Sequence, residues 1–276
     1  MKISVVVCIK NEEKRIEECL RGIIANNPDE IIVVDGNSSD KSVEISMLYT
    51  DKVIVTNNSN LTRDRQIGIN HASNDFIAMI DADHRLNDHD LQLLLNDLHS
   101  YNFDVVQSQL ISFKNENWLN RAEEQMWELN HNHPGQRNMI GVAPAIYKKE
   151  LFNRIGFDDS ITKTIDDTDF IYRLSKLSDV KYGIGLTKIA QLHDPTFSSY
   201  IKKFKWYGVG DGEFCLKHPS RTFSMLFHLF IRYPFIYSLK SLLALKLFSF
   251  PYLILQGSVR GFWAIKTIFC YKFPLT

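Results

Sequence analysis

The sequence predicts an α/β fold, with a mostly parallel sheet flanked by helices and a basic, apolar, helical segment at the C-terminus. Three observations support this. Short β-branched runs alternate with amphipathic helical patterns in the N-terminal part, which is typical of βαβ units. The 276 residues are 45% apolar and 23% charged, so the chain is long enough to bury one large core. Beyond residue 196 the alternation stops.

The first strands and helices follow one another at short spacing. Lys2–Ile9 is a nearly continuous β-branched run, as in a strand covered on both faces. Within Glu12–Asn26, one helical stripe is apolar: Ile16, Cys19, Leu20, Ile23 and Ile24. Further strands are predicted at Ile31–Asp35, Val53–Thr56 and Phe76–Asp81. Asp40 is predicted to cap the helix after the second strand.

The middle of the chain continues the pattern. Amphipathic helices are predicted at Asp88–Ser100 and Asn117–His131, and an extended run, Val105–Phe113, lies between them. A further amphipathic helix is predicted at Phe170–Leu177.

The C-terminal part differs in charge. Residues 200–276 hold eleven Lys and Arg but only Asp211 and Glu213, a formal charge of +9. Since the whole chain is neutral, residues 1–199 carry −9. We therefore expect an α/β domain over residues 1–215 and a membrane-associating segment over residues 216–276.

The apolar runs in this segment are interrupted by cations and prolines. Phe223–Tyr237 contains Arg232 and Pro234, and Leu242–Gln256 contains Lys246 and Pro251. This favours an interfacial amphipathic segment or a re-entrant helix pair over a simple spanning helix. The alternatives are a solvated basic surface and a second soluble subdomain that buries these residues.

Cysteine spacing and the N-terminus predict the compartment. Cys8, Cys19, Cys215 and Cys270 form no CxxC pair, so neither a zinc site nor a disulfide framework is indicated. The chain enters a strand pattern at Lys2, without the basic and apolar leader of a secretory signal. We expect a reduced, cytoplasmic protein at the inner face of the cell membrane, with no nucleic-acid partner.

Acidic residues follow two predicted strands, at the edge where parallel sheets bind ligands. Asp81 and Asp83 form an Asp-x-Asp pair that could bind Mg²⁺ or Mn²⁺ together with phosphates, although such a pair alone is also typical of a solvated turn. Asp35 could accept hydrogen bonds from a base or ribose, and Gly36 allows close approach. Alternatively, this loop serves only the helix capped by Asp40.

Three further candidates lie elsewhere in the chain. Arg65 follows the third strand and could meet a diphosphate, or be solvated on a surface helix. The three acids of residues 166–169 could interact favourably with the dipole at the start of a helix and have no catalytic role. Alternatively, one of them could be a general base. His193 follows a short apolar stretch, and a lone histidine is more often structural than a ligand.

Taken together, these motifs resemble those of the family-2 glycosyltransferases of GT-A fold, a Rossmann-like α/β architecture. In the family's order they are VVVCIKNEE, DGNSSDKS, RDRQIGI, DAD, IGF with DDTDF, and the His of LHD. The ordered set, over roughly residues 1–215, is far more specific than any single motif. It implies a metal-dependent, inverting hexosyltransferase that uses a nucleoside diphosphate sugar, with UDP preferred, and Mn²⁺ or Mg²⁺. The acceptor would be a lipid-linked or cell-surface glycan, such as a polyprenyl carrier or a growing polysaccharide.

The resemblance implies a role for each matching position. Asp35 would contact the nucleobase, with Glu12 near the same pocket. Asp167 would be the catalytic base, and Asp166 stands where the family usually has Glu. Arg65 would bind the donor, although it precedes Gln66 where the family usually has Asn. Asp81 would bind both donor and metal, and Asp83 would be the direct metal ligand. His193 would lie at the metal or the diphosphate.

Two other functions fit parts of the pattern. A sugar nucleotidyltransferase also uses a metal and an α/β sheet, but it usually has a glycine-rich loop where this chain reads CIKNEE. A non-catalytic, membrane-attached scaffold that binds nucleotide sugars would not need every acidic position at once. The stretch Lys202–Gly208 resembles the QxxRW element of processive synthases but lacks its Gln and Arg, which argues against processive polymerisation.

Overall fold

The computed structural model describes residues 2–57, 60–114, 117–161, 165–193 and 196–272. The chain divides into two compact units. The first contains Met1–Phe113, His133–Thr162 and Asp166–Leu192, and the second contains Lys114–Asn132, Lys163–Ile165 and His193–Thr276. The boundary expected after residue 215 stays a prediction.

Among the described residues, nine strands form one sheet, which lies in the first unit. The strands are β1 Ile3–Ile9, β2 Glu30–Asp35, β3 Val53–Val55, β4 Phe76–Met79, β5 His84–Arg85, β6 Val105–Ser112, β7 Gly135–Gln136, β8 Ala145–Lys148 and β9 Tyr182–Gln191. Their order is β3-β2-β1-β4-β8-β6-β9-β5, and β7 pairs with β9. The α/β fold class is confirmed.

The sheet has a parallel half and a mixed half. β3, β2, β1 and β4 run parallel, as the βαβ pattern predicts. β8 then pairs antiparallel with both β4 and β6, whereas β6 and β9 run parallel. The antiparallel strand β8 needs no crossover helix before it, so the strand–helix alternation gives no sign of it.

Helices surround this sheet in the first unit and make up most of the second. The first unit contains α1 Ile16–Ala25, α2 Ser42–Ser46, α3 Leu61–His71, α4 Asp90–Ser100, the 3₁₀ turn Lys149–Asn153 and α6 Asp166–Leu174. The second unit contains α5 Trp118–Asn130, α7 Phe197–Lys217, the 3₁₀ turn Pro219–Arg221, α8 Thr222–Phe227, the π-helical segment His228–Tyr237, α9 Ser238–Leu243 and α10 Ser249–Lys272. The helical C-terminal segment is thus present. Among the described helices, none is both long and apolar enough to cross a bilayer.

Both faces of the sheet are covered, as the continuous apolar run of β1 predicts. On one face, Ile3 and Val5 pack in a core that includes Leu20 of α1 and Leu94 of α4. On the other face, Val6 packs in a second core that α3 and α6 contribute to. Alternate side chains of β1 point to opposite faces, so one strand supports both cores.

Close packing of α3 on β1 depends on Gly68. A Cβ atom at this position would lie 2.3 Å from Cγ1 of Val6 and 3.3 Å from Cγ2 of Val34. The absence of a side chain therefore brings the helix that carries Arg65 close to the sheet. This is the physical role of the glycine in the motif RDRQIGI.

Candidate active site

The pair Asp81 and Asp83 lies where the sequence predicts it, directly after β4 at the carboxyl end of the parallel strands. A tight turn forms here, because the His84 N–H donates to the Asp81 carbonyl oxygen over 3.0 Å. The turn brings one potential ligand atom from each of Asp81, Asp83 and His84 within 4.8 Å of the others. The structure therefore groups two carboxylates and an imidazole at this edge.

The imidazole of His84 orients this turn and is not well placed as a metal ligand. Its Nδ1 accepts the Asp81 backbone N–H over 2.9 Å, so the lone pair of that nitrogen is engaged. A neutral imidazole then carries its proton on Nε2, which lies 3.8 Å from Oδ1 of Asp83. Neither nitrogen offers a lone pair to a cation in this tautomer.

The carboxylate of Asp83 is the better cation ligand. Oδ2 accepts a hydrogen bond of 2.8 Å from Nε2 of Gln191, which fixes the orientation of the group. Oδ1 is buried and has no hydrogen-bond partner among the described residues. A buried carboxylate oxygen normally has a partner, and a hard divalent cation would supply one. The residues present thus fit Mn²⁺ or Mg²⁺.

Arg65 bridges two acids from distant parts of the first unit. Its Nη1 pairs with Oδ2 of Asp166, and its Nη2 donates to Oδ1 of Asp81 over 3.1 Å. The Arg65 residue is only 6% exposed, so its guanidinium is committed to these carboxylates. The sequence had left open a solvated arginine on a surface helix, and the structure excludes that. Contact of Arg65 with a donor stays a prediction.

Asp166 is buried beside this guanidinium. Burial raises the pKa of the Asp166 carboxyl, the positive charge of Arg65 opposes that rise, and the nearby acids Asp167 and Asp81 add to it. A group of like charges has therefore formed around one cation. Arg65 is what allows the carboxylates to lie together.

Asp167 lies in the first turn of α6. The helix was predicted to begin at Phe170, but it begins at Asp166, so the acids belong to the helix itself. Acids are favourable at this end because they interact with the unpaired backbone N–H groups of the first turn. Oδ1 of Asp167 accepts the Thr168 N–H over 2.6 Å, which orients the carboxylate.

Asp35 and Glu12 lie at the ends of neighbouring parallel strands. Asp35 is fully buried at the end of β2, and its Oδ2 accepts the Ser38 N–H over 2.8 Å. Glu12 follows β1, is partly exposed, and its backbone N–H donates to Oγ of Ser42 over 2.7 Å. Their predicted contacts with the nucleobase remain predictions.

His193 lies in the second unit, where it faces Glu123. Its Nδ1 is 3.0 Å from Oε2 of Glu123, and its ring lies 5.1 Å from that of Trp127. Glu123 also accepts from the Tyr200 hydroxyl and from Nζ of Lys203, both over 2.9 Å. Although burial acts to raise it, the charges of Lys203 and His193 hold the pKa of Glu123 well below the ordinary value. The predicted metal or diphosphate role of His193 stays a prediction.

Sequence reasoning missed three residues of these sites. His84 directly follows the Asp-x-Asp pair, so its position was a usable signal. Gln191 and Glu123 belong to no motif, and they contact Asp83 and His193 across separations of 108 and 70 residues. No local pattern could have indicated those contacts.

The chain is similar to known proteins in both sequence and structure. Residues 4–168 match the family model described as Glycosyl transferase family 2. An uncharacterized glycosyltransferase of Rickettsia typhi is 28% identical over 200 residues, which cover 69% of this chain and 63% of that protein. A cholesterol galactosyltransferase of Borreliella burgdorferi is 27% identical over 115 residues, 39% of this chain and 32% of that protein. The matches thus span less than two thirds of these relatives' length.

Solved structures share the fold. S. aureus TarS 1–349 in complex with UDP matches with a TM-score of 0.56 and 18% identity, covering 99% of this chain and 91% of that chain. Glucosyl-3-phosphoglycerate synthase of Mycobacterium tuberculosis, in complex with Mn²⁺ and UDP-glucose, matches with a TM-score of 0.53 and 16% identity, covering 75% of this chain and 76% of that chain. At these identities the likeness shows the fold alone.

Proposed function

The chain belongs to glycosyltransferase family 2, and from that premise we propose that it moves a sugar from a UDP-sugar to an acceptor hydroxyl with inversion at the anomeric carbon. Uridine is supported by structural neighbours, because TarS 1–349 was crystallised with UDP and with UDP-GlcNAc, and the mycobacterial synthase with UDP-glucose. The sugar itself is left open in this proposal.

The observation that carries the proposal is the buried Oδ1 of Asp83, which lacks a hydrogen-bond partner among the described residues and lies beside Asp81. In the proposal Asp83 and Asp81 hold Mn²⁺ or Mg²⁺, and neighbours of the same fold were crystallised with each ion. When held by these residues, such an ion would supply Lewis-acid stabilisation of the negative charge that develops on the leaving nucleotide.

The protein's own residues prepare this site. Arg65 places one positive charge between Asp81 and Asp166, which reduces the repulsion between the two carboxylates. Gln191 and His84 fix the orientations of Asp83 and of the turn. These contacts restrict the orientations of the side chains at the site, which lowers the reorganisation needed to bind the donor.

Asp167 is the proposed general base. Its carboxylate, oriented by the Thr168 N–H, would accept the proton of the attacking hydroxyl. Attack on the face opposite the departing diphosphate inverts the anomeric centre without a covalent intermediate. Asp35 and Glu12 would bind the nucleoside, and His193 the diphosphate side.

The proposed acceptor is a polyprenyl-linked or cell-surface glycan at the cytoplasmic face of a membrane, within polysaccharide biosynthesis. The charge asymmetry supports it, since residues 200–276 carry +9 and a bilayer with anionic lipids attracts such a segment.

The test uses Asp83→Asn and Asp167→Asn, with Asp88→Asn as a matched control because Asp88 is exposed in the same segment. With UDP and Mn²⁺ at about 100 times the dissociation constant, ligand binding should add roughly 2.7 kcal/mol of stability to the control and to Asp167→Asn. Asp83→Asn should lose most of that Mn²⁺-dependent shift. Asp167→Asn should keep the shift but lose UDP-sugar turnover. A full shift in Asp83→Asn would contradict the metal assignment, and normal turnover in Asp167→Asn the base assignment.

A further inference from the structure

The helices of residues 222–243 expose a regular line of large apolar side chains. It consists of Phe223, Phe227, Ile231, Phe235, Leu239 and Leu243, which we call the apolar stripe; they recur at every fourth position. Their exposed fractions range from 38% to 82%. Residues four apart lie one above the other on a helix, and the Phe223 and Phe227 rings are indeed 6.3 Å apart. The stripe is therefore a row in which successive exposed apolar groups are neighbours along the segment.

Polar groups, in contrast, are buried within the same helices. Ser238 and Ser241 are fully buried on the segment that carries the stripe. Asp211 of α7 is also fully buried, and its two carboxylate oxygens accept from Arg260 of α10 over 2.9 Å each. These helices therefore bury several hydrogen-bonded polar groups while they leave the large apolar side chains of the stripe exposed.

Another side of the same segment is packed closely against α10. A Cβ atom at Gly257 of α10 would lie 2.5 Å from the carbonyl oxygen of Leu229. Leu229 and Tyr233 are buried on the side of the segment that packs against α10. The stripe is thus left as a large exposed apolar surface, which monomeric soluble proteins rarely have.

Charge indicates what covers this surface. Residues 214–276 contain no Asp or Glu. Arg232 is exposed beside the stripe, and its guanidinium lies 5.8 Å from the centre of the Phe227 ring, whereas Nζ of Lys240 donates to the Leu129 carbonyl oxygen. A second copy that docked through the same surface would bring two cationic segments together, and residues 214–276 supply no acid that could pair with Arg232 of the other copy. Anionic lipid headgroups above an acyl layer match both the apolar and the cationic groups.

We propose that the apolar stripe inserts into the surface of a lipid bilayer that contains anionic headgroups. Phe and Leu side chains enter the acyl region, and Arg232 stays at the headgroup level, as long cationic side chains do. The proposal is independent of the transfer reaction, because it rests on the C-terminal helices alone.

The test is sedimentation of the full chain with vesicles of phosphatidylcholine, with and without phosphatidylglycerol. The triple variant Phe223→Ser/Phe235→Ser/Leu243→Ser removes apolar groups from the stripe. The matched control is Leu48→Ser/Leu186→Ser, since those leucines are 79% and 62% exposed in the first unit. We expect the triple variant to bind at least about tenfold more weakly and the control to bind like the unchanged protein.

A charge-reversal variant separates electrostatic attraction to the lipid from insertion of the apolar side chains. Arg232→Glu should reduce binding to the phosphatidylglycerol vesicles by roughly tenfold, and raised salt should have a similar effect. The far-UV circular dichroism spectrum and the cooperative melting of all variants should match those of the unchanged protein, which shows that they are folded. Absence of vesicle binding, equal binding by the triple variant, or a dimer in solution that the triple variant dissociates would overturn the proposal.

Discussion

Replacing Glu123 with glutamine should destabilise the second unit by about 3–5 kcal/mol, the usual loss when one partner of a buried ion pair is removed. Glu123 is 4% exposed, and it is the shared acceptor for His193, Lys203 and Tyr200. The neutral amide would leave Lys203, whose side chain is 22% exposed, with no charge to balance its own. A chain of this size should then melt on the order of 10 °C lower.

Thermal melting of a double-mutant cycle measures this coupling. Lys203→Met in the Glu123→Gln background removes the unbalanced cation, so the double variant should lose clearly less than the sum of the two single losses. Glu128→Gln is the control on the same helix, since its exposed pair with Lys246 should contribute at most about 1 kcal/mol. The reasoning is refuted if Glu123→Gln melts like the control, or if the two single losses add.

Two further changes test the first unit. Gly68→Ala gains about 1 kcal/mol of helix propensity, but the added Cβ would lie 2.3 Å from Cγ1 of Val6. Because such overpacking costs about 1–3 kcal/mol, the urea midpoint of unfolding should fall. A raised midpoint would contradict the tight contact. Burial acts to raise the pKa of the Glu30 carboxyl. Hydrogen bonds from Lys52, Ser4 and Ser73 outweigh burial and lower that pKa from 4.5 to about 2. Because the folded pKa is lowered, the stabilisation is present above pH 4.5 and is lost as the pH falls towards 2. Glu30→Gln should flatten the stability profile in that window, and an unchanged acid profile would exclude the lowered pKa.

The sequence was most informative where local pattern and packing coincide. β1, β2 and β4 are short β-branched runs covered on both faces, and they form where predicted. β9 was missed, because it contains Gly183 and Gly185, which weaken a strand pattern. In the structure a Cβ at Gly183 would lie 2.2 Å from the Gly135 carbonyl oxygen. That glycine reflects close approach of another backbone, which no local pattern reveals.

The candidate site shows the same division. Asp81 and Asp83 were predicted because their spacing and their place after a strand are local features. The burial of Arg65 was not, because its partners Asp81 and Asp166 lie 16 and 101 residues away. The residues that orient a site are recruited by tertiary structure, so composition and spacing cannot identify them.

The bridge made by Arg65 restricts how this protein can change. One planar group with several N–H donors serves two carboxylates at once, whereas lysine offers a single compact charge on a flexible stem. If this arginine were replaced by lysine, one of the two carboxylates would lose its ion pair and would repel the other. Variation at positions 65, 81 and 166 can succeed only as a concerted change, and efforts to alter donor choice by redesign should begin at other positions of the sheet edge.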